Sequence, residues 1–234
     1  MSDVEVSWIT DRAPAAIHDL ALDWMQPDER ARHDRFAFEH SKAEFRLARW
    51  LVRTTLSRHA PVAPADWRFE TNAHGRPAIA RAHGLPDLRF NLTHTPGLLA
   101  IAVARGREVG LDAEDITRPG ETIGIAHRFF APTELEALLA LPDEADRHER
   151  FFALWTLKEA YIKARGLGLA LPLDSFAFTW REDGLAFSCD ARAEDESTRW
   201  HFTRHRPTPR HALALAVERQ GGEPPVVAWR EVTF

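Results

Sequence analysis

Leu98-Leu-Ala-Ile-Ala-Val-Ala-Arg-Gly-Arg-Glu-Val-Gly-Leu-Asp-Ala-Glu114 sets two apolar runs around one short polar turn. Short apolar runs bounded by turn residues read as β-strands. Leu98–Ala104 and Glu108–Glu114 are therefore expected to be strands, and Arg105-Gly106-Arg107 a tight turn that makes them a hairpin. Upstream, residues 15–25 and 28–59 read as helical, the second with the apolar face Phe45, Leu47, Ala48, Leu51, Val52 and Leu56. Pro61 and Pro64 end it. Trp67–Thr71 and Leu88–Leu92 read as strands, and Asn72-Ala-His-Gly-Arg-Pro77 as a turn between them. Downstream, residues 115–124 read as a loop, and Pro132 opens a helix that Pro142 stops. Residues 146–165 read as a long helix ended by Gly166 and Gly168. Five strands are expected after it: Ser175–Trp180, Leu185–Cys189, Trp200–His205, Ala212–Glu218 and Val226–Val232. Helices precede strands on both sides of residue 107, an α+β pattern with two similar halves, 1–107 and 108–234.

Composition narrows the class. At 234 residues and 44% hydrophobic, the chain can pack one large domain or two small ones. A formal charge of −5 argues against a nucleic-acid binder. The single cysteine, Cys189, excludes an internal disulfide, reads as a small buried apolar residue and fits a reducing cytoplasm. The opening MSDVEVSWITDR has acids and no apolar core, unlike a signal peptide. The longest apolar runs, such as Leu98–Ala104, are too short to span a membrane.

Lysine usage marks the chemistry. Only three lysines occur, and two of them, Lys158 and Lys163, flank Glu159; the other basic residues are arginines and histidines. Lysine is a compact point charge that can give up a proton, whereas arginine is a rigid, permanently charged fork. Trp155, Glu159 and Lys163 lie four apart and share a helix face, so a Glu–Lys pair is expected to face a cleft. In Val109-Gly-Leu-Asp-Ala-Glu114, alternation places Asp112 and Glu114 on one strand face. Paired hard carboxylates suit Mg²⁺, and Glu159 offers a third. Thr93 and His94 follow a strand and suit an anion, through hydroxyl, imidazole and backbone N–H. Arg76 would bind phosphate if it left the turn, and the run Arg30–Arg35 is a solvated helix face that could add contacts. No Walker loop, dinucleotide fingerprint, nucleophile elbow or H-E-x-x-H occurs. His201 and His205 would not converge as zinc ligands on a strand and read as surface residues.

Five ordered motifs carry a family resemblance: Gly75-Arg-Pro77, Phe90-Asn-Leu-Thr-His94, Val109–Glu114, Arg128-Phe-Phe-Ala-Pro-Thr-Glu134, and Phe152–Leu169. Between about Pro27 and Phe178 the chain resembles the 4′-phosphopantetheinyl transferases, of the long monomeric kind that activates non-ribosomal peptide and polyketide synthetases. The resemblance implies a holo-[acyl-carrier-protein] synthase type of enzyme, with two α+β halves related by a pseudo-two-fold axis. It places coenzyme A and Mg²⁺ in the cleft between them and a serine of an apo carrier protein as acceptor. Asp112, Glu114 and Glu159 match the metal ligands, and Lys163 the catalytic lysine that also meets coenzyme A. Arg32, Gly75, Arg76, Thr93 and His94 match coenzyme A positions, His94 near the 3′-phosphate. Glu159, directly or through a water, would take the serine proton, and Lys163 would stabilise departing 3′,5′-ADP. Arg76 stands where relatives carry lysine, Thr93 where they carry serine, and Glu44 where they often carry a nucleotide-binding arginine that Arg46 or Arg49 would replace.

Two other classes stay open on residues alone. A different Mg²⁺-dependent phosphoryl-transfer enzyme would leave Thr93, His94 and Arg76 without a 3′-phosphate to bind. A non-catalytic module for coenzyme A or a carrier protein would have no use for Lys163. Neither the carrier served, the identity of the base, nor a preference for Mg²⁺ over Mn²⁺ is legible in the sequence.

Overall fold

The computed structural model describes residues 3–10, 14–72, 75–182, 184–220 and 223–233. Ala73 and His74 of the expected turn lie outside the described residues, as do Met1, Ser2 and residues 11–13 of the N-terminal stretch. In chain order the elements are β1 (Val4–Thr10), α1 (Ala15–Trp24), α2 (Pro27–Asp34), α3 (Glu39–His59), β2 (Phe69–Thr71) and β3 (Pro77–Ile79). Next come β4 (Leu88–Thr95), β5 (Leu98–Arg105), β6 (Val109–Asp115), α4 (Thr122–Phe129), α5 (Pro132–Leu139) and α6 (Glu144–Arg165). The last strands are β7 (Phe176–Arg181), β8 (Gly184–Cys189), β9 (Trp200–Thr208), β10 (His211–Glu218) and β11 (Val227–Glu231). The class is α+β.

One sheet runs β11-β1-β5-β4 and a second β6-β10-β9; β2 with β3 and β7 with β8 form separate pairs. Alternation along the strands sorts side chains into layers. Leu99, Ile101 and Val103 of β5 pack with Leu47, Leu51 and Leu56 of α3. Ala100 and Ala102 of β5 face Leu111 of β6 and Leu215 of β10, so the two sheets share a core. Ala214 and Ala216 of β10 pack with Leu157, Tyr161 and Ala164 of α6. The order is helix, sheet, sheet, helix. No helix among the described residues is long and apolar enough to cross a membrane.

Several expectations are corrected. The hairpin between Leu98–Ala104 and Glu108–Glu114 does not form: β5 pairs with β1 and β4, and β6 pairs with β10. Leu98–Ala104 is buried throughout, so it needs a strand on either side. Its hairpin partner is β4, joined through Pro96 and Gly97, whose φ of +89° suits glycine. The expected helix over 28–59 is two helices, because α2 folds back: buried Glu29 meets Arg49 and Arg53 of α3, and Phe36 packs on Phe45. Strand β1 was not expected, although Val4, Val6 and Trp8 alternate with Glu5 and Ser7. It pairs in parallel with β11, returning the chain's last strand to the first sheet. His205 is half-buried: it stacks on Trp229 and meets Trp8 at a tilt. Cys189 is half-buried, its thiol donating to the Asp195 carbonyl at 3.3 Å.

Candidate active site

The sequence of α6 makes a helix with one partly open face. Buried Leu154, Leu157, Tyr161 and Ile162 fix the helix in the core, while Trp155, Glu159 and Lys163 stay half-buried along one side. Gly166, at φ +65°, caps the last turn. Strand β6 lies against that side because Gly110 lets it approach. A Cβ at Gly110 would stand 2.1 Å from Ala160 O and 2.3 Å from Ala164 N, both backbone atoms. That contact puts Asp112, two residues on, beside Lys163.

Lys163 Nζ lies 2.6 Å from Asp112 Oδ1 and 3.2 Å from Thr93 Oγ1. The ion pair is thus between helix and strand, not the expected Glu159–Lys163 pair within the helix. Asp112 is 5% exposed, and its Oδ2 is buried without a partner. A buried acceptor left unpaired is costly, and such atoms mark places where a donor or an ion belongs. Burial, then the neighbouring Asp112 charge, pushes the Glu114 carboxyl up to about 7. Trp155 and the Arg118 guanidinium, 3.8 Å away, pull the other way. Burial and then Asp112 also raise the Glu159 carboxyl above the usual range, against the pull of Lys163. Among the described residues no three His, Cys, Asp or Glu side chains are gathered as a ready metal cluster. Asp112, Glu114 and Glu159 are electrostatic neighbours, not a closed cage. Mg²⁺ fits such a set, since it keeps several waters and takes one or two carboxylates.

A cavity of about 270 Å³ opens beside them, lined by Gly75, Arg76, Asn91, Leu92, Glu159 and Lys163 among others. The turn at Gly75, strand β4 and helix α6 therefore meet at one place. Arg76 is heavily engaged there: it donates to Glu108, to Ala164 O and to Val109 O, each at 3.0 Å. Thr93 is buried, whereas His94, next along β4, is exposed on the opposite face. Arg32 is exposed on α2, its guanidinium 5.6 Å from the Phe45 ring centre. Glu44 is half-buried; Arg46 meets His33 and Glu39, and Arg49 meets Glu29.

Lys158 has a different fate from Lys163. It is fully buried, 2.7 Å from Glu134 of α5, and donates to Leu173 O and Phe176 O, each at 2.8 Å. It locks α6 to α5 and β7. Arg118, Asn91 and Thr95 were given no role from sequence, although Asn91, Thr93 and Thr95 repeat at a period of two on β4.

Family models cover both parts of the chain. Residues 108–217 match the model described as 4′-phosphopantetheinyl transferase superfamily, and residues 12–105 match 4′-phosphopantetheinyl transferase, N-terminal. The chain is 36% identical over 160 residues to the 4′-phosphopantetheinyl transferase HetI of Nostoc sp., covering 68% of this chain and 67% of that protein. It is 36% identical over 163 residues to the 4′-phosphopantetheinyl transferase Sfp of Bacillus subtilis, covering 70% of each. The human L-aminoadipate-semialdehyde dehydrogenase-phosphopantetheinyl transferase is 26% identical over 234 residues, covering 92% of this chain and 73% of that one. The chain belongs to the 4′-phosphopantetheinyl transferase superfamily. It is a phosphopantetheinyl transferase, an enzyme whose substrate is coenzyme A.

Proposed function

We propose that this enzyme transfers the 4′-phosphopantetheine arm of coenzyme A to a serine hydroxyl of an apo carrier protein of a non-ribosomal peptide or polyketide synthetase. 3′,5′-ADP is the second product. The observation that carries the reading is the contact of Lys163 with Asp112, inside a group of carboxylates beside the cavity at Gly75 and Arg76.

Asp112, Glu114 and Glu159 are the residues that would hold Mg²⁺, with the unpartnered Asp112 Oδ2 as the clearest free ligand oxygen. When bound, the ion supplies neutralising charge at the pyrophosphate. Glu159, whose carboxyl is raised by burial, is suited to accept the serine proton on a carboxylate oxygen. Lys163 holds its ammonium where charge develops on the departing phosphate. The His94 imidazole and the Arg32 guanidinium, both exposed, are offered to the nucleotide phosphates, and Gly75 and Arg76 bound the cavity. The division at residue 107 into two related halves, with this site in the cleft between them, belongs to the same proposal, β11 being the strand that crosses back. The working form in this reading is a cytoplasmic monomer.

Incubation with coenzyme A, Mg²⁺ and an apo carrier protein should release 3′,5′-ADP in step with loss of coenzyme A. Hydrolysis of a nucleoside triphosphate instead, with coenzyme A untouched, would replace this reading with another phosphoryl-transfer enzyme. Tight coenzyme A binding without any product would leave a binding module.

A further inference from the structure

Helix α2 is held on α3 by charge. Its eight residues, Pro27-Asp-Glu-Arg-Ala-Arg-His-Asp34, include no apolar side chain larger than proline. A surface helix ordinarily docks by an apolar stripe. Here the two buried residues, Glu29 and His33, lie four apart on one face, and both are polar. Arg46, Arg49 and Arg53 share the face of α3 that meets them.

Glu29 Oε1 accepts from Arg49 at 3.1 Å, and Oε2 accepts from Arg53 and, at 3.0 Å, from Gln26 N–H. Arg53 is fully buried and also donates to Pro64 O at 3.0 Å and Trp67 O at 2.9 Å, so it ties Glu29 to the segment that follows α3. His33 Nε2 accepts from Arg46 at 3.1 Å, since a guanidinium only donates. Arg32 stands beside this face and is exposed. Its guanidinium lies 5.6 Å from the Phe45 ring centre, and that of Arg49 lies 4.7 Å from the same ring. Glu29, Arg49, Phe45 and Arg32 thus form one chain of contacts from the buried pair to the exposed cation.

On the reading that Arg32 meets a phosphate of coenzyme A, we propose that Glu29 is a positioning residue for the nucleotide end of the substrate. It fixes α2 on α3 and so fixes where Arg32 stands. Glu29 itself, closed off by two arginines, does not touch the substrate. Without its charge, Arg53 is left buried and uncompensated, and α2 has no apolar stripe to keep it in place. A phosphate contact remote from the reacting atoms is made equally in ground and transition states, so its loss belongs in KM and not in kcat.

Steady-state kinetics in coenzyme A with wild type, Glu29→Gln, Arg32→Gln and the double variant test this, with amide exchange across residues 27–34 read on the same proteins. Glu29→Gln should raise KM for coenzyme A by about fivefold or more, keep kcat within about twofold, and speed exchange in α2 but not in α6. Arg32→Gln should raise KM at least as much without speeding exchange. The double variant should stay within about twofold of Arg32→Gln in KM, because a residue that acts through Arg32 then has nothing to position. Losses that multiply in the double variant would show Glu29 acting independently of Arg32 and overturn the proposal. An unchanged or lowered KM in Glu29→Gln, or a kcat lost with it, would also overturn it. If Glu29→Gln does not fold, Glu29→Asp, which keeps the charge and shortens the reach, carries the same cycle. A wild type that takes no coenzyme A would sink the functional reading and this proposal together; any overturning result beside a working wild type would sink this proposal alone.

Discussion

Lys163 Nζ and Asp112 Oδ1 stand 2.6 Å apart across the packing of α6 on β6, with Lys163 partly open to solvent and Asp112 closed. The pair binds a helix residue to a strand residue 51 positions earlier, and the close approach of the two elements at Gly110 makes it possible. A charge pair in that setting is exacting about geometry, and the first prediction follows from it.

Lys163→Arg keeps the charge but replaces a point with a wider fork. Beside buried Asp112 and Thr93 the guanidinium has no room to keep both contacts. Turnover should fall by about tenfold or more, equivalent to at least about 1.4 kcal/mol in the barrier. Coenzyme A affinity by direct titration should change less than kcat. An unchanged kcat would remove Lys163 from the chemistry.

Gly110→Ala would drive a methyl group to 2.1 Å from Ala160 O, a backbone atom that cannot turn aside. Strand and helix must separate, and overpacking of this kind costs about 1–3 kcal/mol or more. Chemical denaturation should show that loss, and surviving folded enzyme should lose activity beyond it because Asp112 moves from Lys163. A variant with wild-type stability would mean that β6 and α6 are not so closely packed.

Lys158→Met leaves Glu134 buried without its cation. Breaking a buried pair from one side costs about 3–5 kcal/mol, and denaturant midpoints should report it. Adding Glu134→Gln should recover part of the loss, since the uncompensated charge is gone. If the single variant were as stable as wild type, the pair would not be what holds α5 to α6.

Much of the site could be read from the chain, and the reasons for what could not are specific. Helical spacing put Trp155, Glu159 and Lys163 on one face, and strand spacing put Asp112 beside Glu114; both rest on local periodicity. The same periodicity separates the two lysines: five residues along a helix is a turn and a third, so Lys158 faces the core when Lys163 faces the site. It also sends Thr93 and His94 to opposite faces of β4. Strand partners were hidden because they are remote. Val109–Asp115 pairs with residues 211–217, and Val4–Trp8 with 227–231, distances at which no turn residue speaks for the pairing. The short turn at Arg105–Arg107 suggested a hairpin when it carries the chain from one sheet to the other.

The Glu114 carboxyl gives a pH dependence with a definite sign. Its ordinary value is 4.5 and its folded value is about 7. Between these the folded chain holds a proton that the unfolded chain has released, so stability from this group is lost as pH rises through the window. Melting temperatures of metal-free wild type and Glu114→Gln should therefore diverge from about pH 5 to about pH 8, the variant gaining on wild type. A constant difference across that range would show that Glu114 titrates normally.

The most direct test of the account is the intact mass of an apo carrier protein after incubation with coenzyme A, Mg²⁺ and enzyme. Wild type should add the mass of one phosphopantetheine arm, lost when the acceptor serine is replaced by alanine. Asp112→Asn, which keeps the shape and removes the charge, should add almost none in the same time while circular dichroism shows the fold intact. No added mass with wild type on any of several synthetase carrier proteins, or full transfer by Asp112→Asn, would contradict the account.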